Sequence, residues 1–183
     1  MLYLASASRR RAKLLKEAGV RFEVLKSDYH ERNFDRSRPS QLVKRHALGK
    51  ALAAARKVKN GKILGADSIV YCRGKIVGKP GNLREAMKML AALQGRWQTV
   101  YTGVAFLEIR QSRVLRQRLF YEKTKVLLNK MEKKDIRRYF RRVNPLDKAG
   151  ACAIQASGPG IVREVVGSFS NAVGLPMERL RFL

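Results

Sequence analysis

One carboxylate, Asp67, stands inside an otherwise apolar stretch from Ile63 to Tyr71, in the run Gly65-Ala66-Asp67-Ser68. A carboxylate taken out of water is costly without a cation or hydrogen-bond donors, so Asp67 requires a partner. Two readings stand side by side: a metal ligand or general base, or an Asx turn at the end of a strand. Near the N-terminus, Ser6, Ser8, Arg10 and Arg11 fall where a short strand runs into a helix. Backbone N–H groups, hydroxyls and guanidinium forks at a positive helix end suit an oligophosphate. Taken alone, the same residues favour a plain N-cap followed by solvated arginines. Lys50 on a helix and Lys79 before Pro80 have the ordinary look of solvated charges. Asp147-Lys148-Ala149-Gly150 with Gln155 is a polar segment in a glycine-rich loop, suited to a phosphate or base or to nothing but solvent.

Taken together, many cations (Arg10, Arg11, Lys50, Lys79, Lys148) surround few carboxylates (Glu31, Asp67, Asp147). That balance fits phosphoryl chemistry on an anionic nucleotide with a hard divalent ion, where positioning and charge neutralisation do most of the work. It does not fit a glycosidase, which needs two facing carboxylates. The glycines and Lys-Ser/Thr pair of a Walker A loop are absent. Neither Cys152 nor any serine has the His and acid set of a nucleophile. His30 and His46 are the only histidines, and no Cys/His pair has zinc-ligand spacing.

The 183 residues carry 40 Lys or Arg against 14 acids, a formal charge of +26. Such a charge is the electrostatic footprint of a nucleic-acid binder, or of a lineage that solvates its surfaces with Lys and Arg. Arg110–Arg142 alone holds thirteen basic residues and three acids. Its aromatics, Phe120, Tyr121, Tyr139 and Phe140, mostly fall at core-like positions, so a stacking platform is not evident. With 45% apolar residues the chain can build a core, and its length suits one domain of two lobes spanning residues 1–183. No apolar run is long enough for a bilayer, and two cysteines point to a reduced cytoplasmic setting.

The elements that must position these groups interleave. Leu2–Ala5 reads as a strand, Arg9–Ala18 as a helix stopped by Gly19, and Arg21–Leu25 as a strand with Phe22 and Val24 on one face. Asp28–Pro39 is a polar loop. Ser40 caps a helix to about Lys59. Lys62–Leu64 and Ile69–Tyr71 are two strands flanking the Asp67 segment, Arg73-Gly74 a turn and Ile76–Val77 a returning strand. Asn82 with Glu85 opens a helix ending near Leu93 in capping-box fashion. Thr99–Ile109 and Val114–Leu128 form a hairpin, Lys133–Arg142 is an amphipathic helix, Gly150–Gly160 a loop, Ile161–Val166 a strand and Pro176–Leu183 a short helix. The class is α/β, with a mixed twisted sheet flanked by helices.

In this order, the segments resemble the Maf family of nucleoside triphosphate pyrophosphatases. LYLASASRRRAKLL is similar to the family's Leu-Ala-Ser-x-Ser-Pro-Arg-Arg start, ILGADSIV to its Gly-Ala-Asp-Thr/Ser strand, and Gly78–Pro80 to its Gly-Lys-Pro. LQGRWQTVYTGVAF, PLDKAGACAIQASG and GSFSNAVGLP match the later motifs, so the resemblance runs from residue 2 to residue 180. It implies a fold like that of the inosine triphosphatases, and hydrolysis between the α and β phosphates to a monophosphate and pyrophosphate. It also implies Asp67 as the proton acceptor that activates water, with Mg²⁺ or Mn²⁺ at the phosphates held by Asp67 and Glu31. Ser6, Arg11, Lys50, Lys79 and Gln155 match positions lining the nucleotide site. Arg10, Ser68 and Gln155 match the branch that prefers dTTP and UTP, rather than the branch for 7-methyl-GTP. The family often forms dimers. Arg9 departs from the family's usual Pro, His30 from its common Asp, and Ala153 and Ala156 from its glycines. A position with φ > 0 in that late loop would be strained by alanine.

Overall fold

In a computed structural model, residues 1–31, 38–156 and 158–181 are described, with the side chains of 156, 158 and 159 left out. The order of elements is β1 (Leu2–Leu4), α1 (Arg9–Glu17), β2 (Glu23–Val24), α2 (Pro39–Ala55), β3 (Gly61–Cys72), β4 (Lys75–Val77), α3 (Leu83–Leu93), β5 (Trp97–Arg110), β6 (Arg113–Leu128), α4 (Lys133–Arg142), α5 (Gly158–Ile161), β7 (Val162–Val166) and α6 (Phe169–Val173). Single 3₁₀ turns stand at Ala149–Ala151, Ile154–Ala156 and Met177–Arg179. Among the described residues seven strands form one mixed sheet in the order β2-β1-β3-β5-β6-β7, with β4 also paired to β3. β1 lies parallel to β2 and β3, and the other pairings are antiparallel. The expected α/β class and flanked mixed sheet are what the chain adopts.

β3 organises the sheet. Its Gly61–Tyr71 edge pairs throughout with β5. On its other edge β1 takes Lys62–Leu64 and β4 takes Val70–Cys72. Gly65–Ile69 is left between them, and Asp67 sits in the middle of that gap. The expectation of two strands broken at Gly65–Ser68 is therefore corrected: the strand runs through, and Asp67 is not in an Asx turn. The small residues that resemble a turn have another cause. A Cβ on Gly65 would meet the carbonyl oxygen of Ala47 at 2.3 Å, and one on Gly103 would meet that of Val43 at 2.2 Å. Gly103 lies beside Asp67 on β5. The backbone of α2 thus rests on the sheet at two glycines, with Val43, Ala47 and Ala51 fully buried at four-residue spacing.

Other boundaries shift for similar local reasons. Arg38, not Ser40, is the N-cap of α2, because Pro39 takes the first helical position, where its missing N–H costs nothing. The helix ends at Ala55, short of Lys59. Val24 is half exposed and does not share a buried face with Phe22. Asn82 accepts from the N–H of Glu85 at 2.9 Å, but the Glu85 carboxylate reaches the N–H of Gly81, so the box is not reciprocal. α6 lies where no helix was expected, and the C-terminal helix is a single 3₁₀ turn.

Two layers of apolar side chains cover the sheet. Leu90, Leu93, Ile136 and Tyr139 from α3 and α4 pack on Val100, Val126 and Leu128. Toward the other end Leu15 of α1 and Leu175 pack on Leu64, Val104 and Phe106. The opposite face at that end belongs to α2, through Ala47, Ala51 and Ala54 on Ile63, Ala105 and Leu107. Gly103→Ala is expected to lift α2 from the sheet and cost about 1–3 kcal/mol. That lowers the thermal midpoint by about 2–4 °C per kcal/mol. Gly78→Ala, whose added methyl meets nothing within 4 Å, leaves the midpoint nearly unchanged in the same melt.

Candidate active site

The open stretch of β3 borders a cleft of about 990 Å³. Because the cleft wraps around a strand edge, neighbours on opposite faces, Asp67 and Ser68, both line it. Every residue singled out from the sequence reaches it: Ser6, Arg10 and Arg11 from the start of α1, Lys50 from α2, Lys79 after β4, Gln155 in the late loop, and Glu31. Among the described residues eight Lys or Arg and three acids line it, so their balance is positive.

At its centre the Lys50 ammonium lies 2.7 Å from Asp67 Oδ1 and 2.6 Å from Glu31 Oε1. This is the partner that a buried Asp67, 6% exposed, requires. The ordinary solvated reading of Lys50 is thereby corrected, since its side chain is only 13% exposed. Burial pushes the Glu31 carboxyl up, but the hydrogen bond and charge of Lys50, helped by His46 and Lys79, outweigh it and hold Glu31 below the usual glutamate range. Two carboxylates from distant segments thus converge on one point. Oxygen donors of this kind suit Mg²⁺ or Mn²⁺, which need few protein ligands where phosphates and water complete the shell. Among the described residues no group of three His, Cys, Asp or Glu forms a cage. A metal here fits only as one shared between Asp67, Glu31 and a bound phosphate.

Arg11 takes a different part from the one its exposure in sequence suggested. It is 8% exposed, and its guanidinium donates to Gly174 O at 2.8 Å, Ser6 Oγ at 2.9 Å and Ser68 Oγ at 2.9 Å. Burial lowers its pKa, partly opposed by the charge of Asp67. The chain of bonds continues from Ser68 Oγ to Thr102 Oγ1 at 2.8 Å, and from Thr102 Oγ1 to the Asn171 carbonyl at 3.3 Å. Asn171 Nδ2 then donates to Thr124 Oγ1 at 2.9 Å. This polar line ties α1, β3, β5, β6 and α6 together behind the cleft. Ser8 caps α1 through the Arg11 N–H, and Ser6 Oγ accepts from the Ser8 N–H. Arg10, half-buried on the first turn of α1, and exposed Lys79 line the cleft as well, together with Arg9, Lys26 and Arg142.

The sequence reading passed over Tyr29, His46 and Gly49. Tyr29 stands so close over Gly49 that a Cβ there would lie 2.2 Å from its ring, and its hydroxyl is 3.1 Å from His46 Nδ1. These contacts fasten the loop that carries Glu31 to the helix turn that carries Lys50. A Gly beside a Lys on an alanine-rich helix was the available signal. The late loop is fixed from the other side, where the Gly150 N–H donates to Gly78 O at 3.0 Å beside Lys79. Lys148 is paired with Asp147 and the Asn144 carbonyl rather than aimed at a ligand. Left-handed backbone falls on Gly150 (φ 70°) and Ala151 (φ 56°), so the strained alanine is Ala151 and not Ala153.

A family model described as Maf-like protein matches residues 1–183. The chain belongs to the Maf family. Among curated relatives, the dTTP/UTP pyrophosphatase of Gloeobacter violaceus is 44% identical over 179 residues, spanning 98% of this chain and 92% of its own length. The dTTP/UTP pyrophosphatase of Dictyoglomus thermophilum is 38% identical over 183 residues, spanning 100% of this chain and 93% of its own. The solved Staphylococcus aureus Ham1 protein aligns over 70% of this chain and 72% of its own at 11% identity, with a TM-score of 0.46, and nothing rests on that likeness. No described helix of this Maf protein is long and apolar enough to cross a membrane.

Because the folded-state pKa of Glu31 lies below its unfolded value, its stabilising contribution is full above about pH 4.3 and is lost as pH falls through the folded value. Carboxyl-resolved NMR titration will give a Glu31 midpoint below that of a free glutamate. In Lys50→Met the burial that remains will carry that midpoint above it.

Proposed function

We propose that this Maf protein hydrolyses nucleoside triphosphates, dTTP and UTP foremost, to the monophosphate and pyrophosphate. The observation that carries the reading is the meeting of Asp67 and Glu31 on the Lys50 ammonium inside a cation-lined cleft. The names of the full-length relatives support the substrate class.

Asp67 is the group for the water. Held by Lys50 at one oxygen, its carboxylate keeps the other available to accept a proton as the water oxygen bonds to the α-phosphorus. The bond to the β-phosphate bridging oxygen breaks, and pyrophosphate leaves with its charge facing Lys79 and Arg10. Asp67 and Glu31 would hold a divalent metal, which supplies charge neutralisation at the phosphates. Arg11 keeps Ser6 and Ser68 in place beside the reacting groups, so its part in the site is to position as much as to bind. The Gln155 amide, which can both donate and accept, suits the O4/N3 edge of uracil or thymine. A homodimer belongs to this reading through the family resemblance alone, and a cytoplasmic setting through the two cysteines alone.

The test is pyrophosphate release from dTTP, UTP, CTP and 7-methyl-GTP with Mg²⁺ or Mn²⁺. Release is expected from dTTP and UTP first, to stop on chelation of the metal, and to fall by about 10²–10⁴-fold in Asp67→Asn. Undiminished release by that variant, or none from any triphosphate, contradicts the assignment.

A further inference from the structure

The sheet face that α2 covers, which gives Asp67 and Ile69 to the cleft, continues past the helix into a part that the cleft does not use. Strand alternation puts Tyr71, Trp97, Thr99, Tyr101, Tyr121, Lys123 and Lys125 on that side, and register sets Tyr71, Thr99, Lys125 and Val166 in one row across four strands. Tyr101 and Lys123 pair in the next row. The three tyrosines form a diagonal line: ring centroids of Tyr71 and Tyr101 are 6.2 Å apart, and those of Tyr101 and Tyr121 6.3 Å apart. Leu42 and Val43 of α2 reach as far as Tyr101. Past them the surface is open, with Trp97 44% and Tyr121 39% exposed and Lys123 and Lys125 exposed beside them. Of the aromatics expected to be mostly core-like, Tyr139 is buried and Tyr121 is exposed. None of these aromatics or lysines lines the cleft. Register places two acids on this side: Asp67, paired to Lys50 under α2 in the row of Gly103 and Tyr121, and Glu164, opposite Leu127 at the far side.

We infer that this face binds single-stranded nucleic acid. Flat aromatic surfaces offer stacking to unpaired bases of any sequence, and the interleaved lysines meet the phosphates between them. A duplex hides its base faces and gains only the charge term. A second copy of the chain would bring Lys123 and Lys125 against like charges on a molecule of net +26. The groups present engage what DNA and RNA share, so no preference for either follows. The inference stands apart from the hydrolytic reading, because its test reads binding and not turnover.

Trp97 is the chain's single tryptophan, so its fluorescence reports on this face. Titration with oligo(dT) or oligo(U) of about twenty nucleotides is expected to quench Trp97 saturably and alike for both. A duplex of the same length is expected to bind at least about tenfold more weakly. Log affinity will fall linearly with log salt, and Lys123→Ala with Lys125→Ala will make the slope shallower by about 1.4. Tyr121→Ala will weaken binding about fivefold or more, with a circular dichroism spectrum like the parent's to show that it folds. No quenching by oligo(dT) at low salt, equal quenching by the duplex, or a slope that the lysine pair does not alter overturns the proposal. Quenching that grows with protein concentration alone would place a second copy on the face and also overturn it.

Discussion

The Lys50 ammonium, shared by Asp67 and Glu31, is the interaction on which the site depends. A carboxylate in the middle of a central strand would be costly alone, and removing one member of a buried ion pair costs about 3–5 kcal/mol. The cation can reach it only because α2 lies on the sheet at the distance of a glycine. Val43 over Gly103 and Ala47 over Gly65 set the height of the helix, and Lys50 follows one turn later. The gap between β1 and β4 then opens Asp67 to the cleft without exposing it. Packing, electrostatics and access are thus decided by the same short segment of β3.

A second constraint lies behind the first. Arg11, Ser68, Thr102, Asn171 and Thr124 run as a buried polar line across the sheet, each with a partner. Although Asn171 Oδ1 is buried without a hydrogen-bond partner among the described residues, the bonds of this line favour one arrangement of their elements, because a slip would leave further polar groups unpaired in a low-dielectric interior. This gives a structural use to the C-terminal Asn171–Gly174 segment, which carries no group aimed into the chemistry except the carbonyl that Arg11 holds.

Much of this was legible in the residues. The long hairpin and the amphipathic helix at Lys133–Arg142 follow from two-residue and 3.6-residue periods, and the structure places them within two residues of expectation. The candidate residues were found because their motifs occur in order, and the cleft gathers all of them. What stayed hidden is what depends on partners distant in sequence. Gly65 looks like a turn residue until α2 is set on it, and Ala66 until Leu15 and Leu175 pack on the other side. Arg11 looks like a solvated cation until Gly174, 163 residues away, accepts from it. Tyr71, Tyr101 and Tyr121 become a row only when the register of three strands is known. The segment 32–37 of the polar loop lies outside the described residues, so the reading of that loop extends no further than Glu31.

The charge of +26 points to nucleic acid, and among the described residues eight of the chain's forty Lys and Arg line the cleft. Those eight outnumber the three acids beside them, enough to receive a triphosphate of about four negative charges. The central claim is that Asp67 directs water to the α-phosphorus in this setting. Hydrolysis in ¹⁸O-enriched water, followed by mass analysis of both products, tests it most directly. The account predicts the label in the nucleoside monophosphate and none in pyrophosphate. Label in pyrophosphate would place the attack on the β-phosphorus and contradict it.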